Sequence, residues 1–112
     1  MSDSERLFSY GTLQQETVQL ANFGRRLSGT PDAVQGYKMT SVRITDAAVV
    51  ATSGLAVHRI LIPGGPLDTV EGVVFEVSPE ELLSADDYEA DDYKRVKVKL
   101  RSGTEAWVYV AA

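Results

Sequence analysis

Five carboxylates are crowded into seven positions near the end of the chain, and this segment has the residue types that proton transfer requires. They fall within residues 86–92, with Tyr88 among them and Tyr93 directly after them. Burial and neighbouring negative charge both favour the protonated form of a carboxyl group. One member of this cluster is therefore a candidate general base.

Glu89 is the member that we predict to be the base. It follows Ala85 by four residues, so a helix that buries Ala85 would direct Glu89 toward the interior. The negative end of that helix would raise its proton affinity further. The other carboxylates, which we expect to face solvent, are Asp86, Asp87, Asp91 and Asp92.

Two alternatives are open for this acidic segment. A run of charges is most often a solvated loop. A calcium site is the second alternative, although residues 86–92 lack the glycine and the distal glutamate of a calcium-binding hand loop.

A second segment that could take part in catalysis or binding is Tyr10-Gly11-Thr12-Leu13, between a predicted strand and a predicted helix. Gly11 is free to adopt a positive φ, so we expect a sharp turn there. Backbone N–H groups exposed at the start of a helix can bind an anion or a developing oxyanion. An ordinary strand-to-helix turn is the alternative interpretation.

Composition limits the chemistry that these segments could perform. The 112 residues include no cysteine and a single histidine, His58, which excludes disulfides, thiol catalysis and zinc sites of cysteine and histidine. No second histidine or evident acidic partner lies near His58 in sequence, so we interpret it as a structural residue without a catalytic role. We predict no metal site.

Charge and hydropathy limit the partners. The 11 basic and 16 acidic residues give a net charge of −5, which disfavours binding to nucleic acid. No apolar run is long enough to span a membrane, so we expect a cytoplasmic protein. The length and the 44% hydrophobic content predict one globular domain, residues 1–112.

Local patterns predict the elements that must position these segments. The capping box Ser78-Pro79-Glu80-Glu81 predicts the start of a helix, and an earlier helix is predicted over residues 13–23, ended by Gly24. Strands are predicted at residues 6–10, 57–62, 69–77, 95–101 and 105–110, with one or two more between 33 and 50.

The strand over residues 95–101 has two different faces. Apolar residues at 96, 98 and 100 alternate with a basic stripe. We interpret this stripe, which consists of Arg95, Lys97, Lys99 and Arg101, as a solvated strand face. With about six strands and two short helices, the pattern predicts an α+β fold built on a small mixed or antiparallel β-barrel.

Taken together, these segments resemble the gamma-glutamylcyclotransferase-like family. The matching segments are Phe8-Ser9-Tyr10-Gly11-Thr12-Leu13, residues 70–77, Asp87-Tyr88-Glu89, residues 93–98 and residues 106–110. They cover nearly the whole chain in the order of the family. Two departures are Ala90, where many relatives have glycine, and Gln15-Glu16, where relatives often have a glycine.

The resemblance implies a small β-barrel with flanking helices and a cofactor-independent enzyme. Its reaction would cyclise a gamma-glutamyl group to 5-oxoproline and release an amine or an amino acid. Glu89 would be the acid/base, and the substrate would contact Tyr10, Gly11, Thr12, Leu13, Tyr93 and Tyr109. The alternative is a non-catalytic domain of the same fold that binds a small molecule or another protein.

Overall fold

The computed structural model describes residues 4–89 and 92–112. In chain order, the described elements are β1 (Glu5–Ser9), a short 3-10 helix (Thr12–Gln14), α1 (Glu16–Phe23), β2 (Gly29–Gln35), β3 (Tyr37–Arg43), α2 (Ala47–Ser53), β4 (Val57–Pro63), β5 (Thr69–Val77), α3 (Pro79–Tyr88), β6 (Tyr93–Lys99) and β7 (Glu105–Ala111). This is a mixed α+β architecture, as predicted.

The strands form two separate sheets instead of a closed barrel. Five strands pair in the order β2-β5-β1-β7-β6, in which β1 is antiparallel to β5 and parallel to β7. The remaining strands, β3 and β4, pair with each other in an antiparallel hairpin. The predicted barrel is therefore wrong, and the described residues form seven strands and three α-helices where about six strands and two helices were predicted. Because β3 and β4 pair with each other, β2 and β6 remain the edges of the larger sheet.

The centre of the five-stranded sheet is buried on both faces, as its strand β1 illustrates. Leu7 belongs to a cluster with Val18 of α1 and Leu82 of α3, so these helices cover one face. Phe8 points to the opposite face and packs in a cluster with Leu61 of β4. Alternation along β1 thus fills two cores, one under the helices and one under the hairpin.

The helices begin and end largely where local signals place them. In α3, the Ser78 side chain accepts from the Glu81 N–H and the Glu81 side chain accepts from the Ser78 N–H, which confirms the capping box. Gly24 ends α1 at a φ of 69°, as predicted. The predicted helix over 13–23 is divided, however, because Gln15 is extended between the 3-10 helix and α1.

The segment between residues 33 and 50 differs most from its prediction. Gly36, at a φ of 85°, separates β2 from β3, so two strands are present there. Helix α2 was not predicted, because its residues include several β-branched side chains. The Asp46 side chain accepts from the N–H groups of Ala48 and Val49 at its start, and Gly54 adopts a φ of 74° at its end.

Candidate active site

A pocket lies where the carboxyl end of β1 meets β4, β7 and the segment after α3. It is narrow and partly open to solvent. Its lining consists of Phe8, Ser9, Tyr10, Gly11, Thr12, Leu13, His58, Arg59, Glu89, Tyr93 and Tyr109. The seven residues that the sequence singled out for catalysis or substrate contact therefore lie around one cavity.

The segment 10–13 lies along this pocket. Gly11 has a φ of −131°, so the turn at this point does not use the positive φ that glycine allows. The first hydrogen bond of the 3-10 helix runs from the Gln14 N–H to the Gly11 carbonyl. The N–H groups of Thr12 and Leu13 consequently lie at the open N-terminal end of this turn. The Leu13 side chain is buried in the core beneath the helices.

Two hydrogen bonds hold this segment in place. The Tyr10 hydroxyl donates to the Tyr109 carbonyl over 2.6 Å, in a buried position. The hydroxyl groups of Thr12 and Tyr88 lie 2.7 Å apart and share a hydrogen bond. The segment is thereby attached to β7 on one side and to the end of α3 on the other.

Glu89 is the residue immediately after α3. Its N–H donates to the Ala85 carbonyl over 3.0 Å, and its extended backbone ends the helix. The half-buried carboxyl group receives no hydrogen bond from any residue within 4–89 and 92–112. Burial raises the pKa of Glu89 to about 8, and the Asp86 charge adds to this increase. The predicted increase in the pKa of Glu89 thus has two physical causes, of which burial is the larger.

Four tyrosines surround Glu89 closely enough to respond to its charge. Burial raises the pKa of each phenol, and the Glu89 charge contributes to the rise in all four. These residues are Tyr10, Tyr88, Tyr93 and Tyr109. The carboxyl group is therefore enclosed by aromatic side chains that remain protonated at neutral pH, and this environment is typical of an acid/base group with a perturbed pKa.

Asp86 does not face solvent as predicted. Its carboxylate accepts from the Arg95 guanidinium at 2.9 and 3.0 Å and from the Tyr109 hydroxyl at 2.7 Å. A nonlocal partner on β6 thus draws this carboxylate inward, which the local sequence could not reveal. Asp87 and Asp92 are exposed, as predicted, whereas Asp91 lies outside the described residues, together with Ala90.

The interpretation of the basic stripe as a solvated face is wrong at its first member. Arg95 is only half-exposed, and its guanidinium lies 4.4 Å from the centre of the Trp107 ring. Lys97 lies 5.2 Å from the same ring but is exposed. Cation–π contacts of this kind combine with the Asp86 ion pair to fasten β6 and β7 to α3.

Two lining residues come from β4, and no catalytic or binding role was predicted for either of them. His58 Nε2 lies 3.0 Å from both the Ser53 hydroxyl and the Leu55 carbonyl. These contacts support its interpretation as a structural residue. Arg59 was missed altogether. Its signal was a cation next to His58 in a mostly apolar strand, which local patterns cannot connect to a site.

Across residues 4–89 and 92–112, no group of three or more potential metal-ligating side chains is close enough to hold an ion. No helix in these ranges is long and apolar enough to cross a membrane.

Comparison with known structures identifies the fold. A structure named gamma-glutamyl cyclotransferase superposes with a TM-score of 0.73 at 20% identity, over 97% of this chain and 67% of that one. A protein of Homo sapiens described as uncharacterized gives a TM-score of 0.74 at 22% identity, over 99% and 68%. An Arabidopsis thaliana solution structure gives 0.72 at 21% identity, over 99% and 64%. This chain therefore spans less than two thirds of the Arabidopsis protein.

Sequence comparison identifies the family. No curated protein matches the sequence. A family model described as gamma-glutamyl cyclotransferase, AIG2-like, matches residues 7–112. Because this match covers nearly all of the sequence, the chain belongs to the AIG2-like gamma-glutamyl cyclotransferase family.

Proposed function

We propose that this protein is an enzyme that cyclises a gamma-glutamyl group to 5-oxoproline, releases an amine or an amino acid, and uses Glu89 as its general acid/base. One observation carries this proposal. The Glu89 carboxyl group lines the same pocket as the open end of the 3-10 helix, where the N–H groups of Thr12 and Leu13 lie. A proton acceptor and candidate oxyanion donors are therefore available to one substrate.

The proposed reaction needs only these two elements. The α-amine of the substrate attacks its own γ-carbonyl carbon, so a C–N bond forms and the ammonium proton passes to Glu89. The carbonyl oxygen becomes an oxyanion, which the backbone N–H groups would stabilise. The intermediate then collapses, and the bond to the leaving nitrogen breaks as Glu89 returns the proton. The atoms balance without a cofactor, because the substrate supplies the nucleophile.

The environment of Glu89 suits this proton shuttle. A general acid/base works best when its pKa lies near the working pH, and burial raises the pKa of Glu89 to about 8. The substrate's ammonium group would favour the carboxylate form when it binds beside Glu89. After the proton transfer, the neutral acid remains in the apolar, tyrosine-lined surroundings that favour it.

The test is the release of 5-oxoproline from gamma-glutamyl amino acids, gamma-glutamyl amines and gamma-glutamyl-lysine isopeptides. We expect product from the parent protein and a loss of at least a hundredfold in kcat for Glu89→Gln, with the fold verified by circular dichroism. Glu105→Gln is the matched control, because Glu105 is exposed at the start of β7. Equal turnover by the parent protein and Glu89→Gln would refute the role of Glu89. No product from any compound would favour a non-catalytic binding domain.

A further inference from the structure

Arg59 is the one cationic side chain among the described residues that line the pocket. It lies on β4, where His58 and Ile60 are buried on one face and Leu61 is buried on the other. Because side chains alternate along a strand, Arg59 lies on the same face as Leu61. Leu61 packs against Phe8 and Tyr10 beneath the five-stranded sheet. Arg59 therefore lies on the face of β4 that is turned toward the sheet, and it is one of the residues that line the pocket.

The backbone of Arg59 is held in place while its guanidinium is available. The Tyr93 hydroxyl donates to the Arg59 carbonyl over 2.7 Å, and Arg59 is opposite Ser41 in the hairpin register. The side chain is exposed. No carboxylate within residues 4–89 and 92–112 forms an ion pair with it. Arg59, a lining residue of the pocket, thus has a fixed backbone and an exposed side chain without an ion-pair partner in these ranges.

The charges of the pocket match those of one end of the substrate. Glu89 and Arg59 are the charged side chains in the described lining, one acidic and one basic. An unmodified gamma-glutamyl group carries an α-ammonium and an α-carboxylate on the same carbon atom. The proposed function already pairs the ammonium with Glu89, which leaves the carboxylate in need of a cation. Arginine is suited to this task because its planar guanidinium can donate two parallel hydrogen bonds to a carboxylate.

We propose that Arg59 binds the α-carboxylate of the substrate and so restricts the enzyme to gamma-glutamyl compounds whose α-carboxylate is free. This inference rests on the proposed function, because the gamma-glutamyl group defines the carboxylate in question. Compounds in which that carboxylate is amidated or absent would be poor substrates. The leaving group lies at the other end of the glutamyl chain, so Arg59 would not select among amines.

The binding test compares two ligands of the same ring structure. 5-Oxoproline has the carboxylate, and 2-pyrrolidinone lacks it. Isothermal titration calorimetry would compare both ligands with the parent protein, Arg59→Gln, Arg59→Lys and the control Arg43→Gln, an exposed arginine at the end of β3 outside the pocket lining. We expect the parent protein and Arg43→Gln to bind 5-oxoproline at least tenfold more tightly than 2-pyrrolidinone. Arg59→Gln should lose this preference, and Arg59→Lys should retain part of it.

Two results would overturn the inference. One is an unchanged affinity of Arg59→Gln for 5-oxoproline, and the other is a parent protein that does not discriminate between the two ligands. The turnover of gamma-glutamyl compounds, measured separately, distinguishes this failure from that of the proposed function. Turnover that is unaffected by Arg59→Gln would support the proposed reaction and contradict the role of Arg59 in binding the carboxylate. Arg59-dependent binding without any turnover would support the carboxylate site and remove the reaction.

Discussion

The Tyr10 hydroxyl donates a 2.6 Å hydrogen bond to the main-chain carbonyl of Tyr109, which lies 99 positions later in the sequence. Both residues are buried, and both line the pocket. β1 is parallel to β7 through the pairing of Leu7 with Trp107. The Tyr10 bond extends this connection past the end of β1 and fixes the position from which residues 11–13 begin.

Replacing Tyr10 with phenylalanine removes this bond but keeps the ring. We expect Tyr10→Phe to lower the free energy of unfolding by about 1–3 kcal/mol, because the buried Tyr109 carbonyl loses its donor. Equilibrium urea denaturation would measure the change. Tyr37→Phe is the matched control, since Tyr37 is half-buried and its hydroxyl has no hydrogen bond within the described chain. Equal stability of the two variants would contradict a structural role for the Tyr10–Tyr109 bond.

The dependence of activity on pH is a second prediction, and it follows from the burial of Glu89. If Glu89 accepts the ammonium proton, kcat/KM should rise with pH through a midpoint of about 8, because the free enzyme must lose the Glu89 proton to act as a base. Asp86→Asn should move this midpoint to lower pH, since the Asp86 charge contributes to the raised pKa. A pH profile of kcat/KM for both proteins would measure the shift.

The control for that experiment is the neighbouring carboxylate. Asp87 is exposed on α3 and is not among the causes of the raised Glu89 pKa. Asp87→Asn should therefore leave the midpoint where it is in the parent protein. A midpoint that moves equally in both variants would mean that the net charge of the helix controls the titration. A midpoint that moves in neither variant would mean that the Asp86 charge does not affect the group that titrates in the pH profile.

The sequence correctly predicted those helix ends that depend on residues adjacent in sequence. The capping box at Ser78 and the left-handed glycine at position 24 were confirmed because the residues that form them are adjacent in sequence. Helix α2 was missed because Val49, Val50 and Thr52 favour strands in isolation. The Asp46 cap and the burial of Val49 in the core outweigh this preference.

Nonlocal contacts account for what the sequence could not predict. The Asp86–Arg95 ion pair joins a helix to the edge strand of the sheet, and neither residue carries a local signal for the other. The separation of β3 and β4 from the larger sheet is likewise a matter of pairing between distant segments. The grouping of Tyr10 and Glu89 was accessible in advance only because the family resemblance connected the two segments.

The stability of the protein should depend on the ionisation of Glu89, which is a third prediction. The folded pKa, about 8, lies above the ordinary value of 4.5, so the folded state binds the proton more tightly than the unfolded state. Stability from this group is therefore complete below pH 4.5 and is lost as the pH rises toward 8. We expect Glu89→Gln to be more stable than the parent protein at pH 9, by up to about 4 kcal/mol.

Urea denaturation of both proteins from pH 5 to pH 9 would check this difference. The advantage of Glu89→Gln should grow with pH across the interval, whereas Glu105→Gln, at an exposed position, should follow the parent curve. If Glu89→Gln loses turnover but gains stability at high pH, Glu89 is needed for function although its ionised form destabilises the parent protein. Parallel curves for Glu89→Gln and the parent protein would contradict the raised pKa.

The fourth prediction concerns Gly72, which lies beside the end of β1, and Gly11, which belongs to the segment 10–13. We expect these two glycines to tolerate a methyl group differently. At Gly72 on β5, a Cβ atom would collide with the Ser9 carbonyl oxygen and lie 2.7 Å from the Phe8 ring. The Ser9 oxygen belongs to the backbone of β1, so it can move only with the strand. Gly72→Ala should therefore destabilise the protein by about 2 kcal/mol or more, an effect typical of overpacking.

Gly11→Ala provides the comparison. Gly11 has a negative φ of −131°, and a Cβ atom there would meet no heavy atom within 4 Å. We expect its free energy of unfolding to stay within about 0.5 kcal/mol of the parent value, because neither the backbone conformation nor the space opposes the methyl group. Thermal and urea denaturation of the two variants would measure the contrast. A tolerated Gly72→Ala would mean that β1 and β5 can separate near Ser9, and the pocket segment would then be less firmly positioned than the contacts around it indicate.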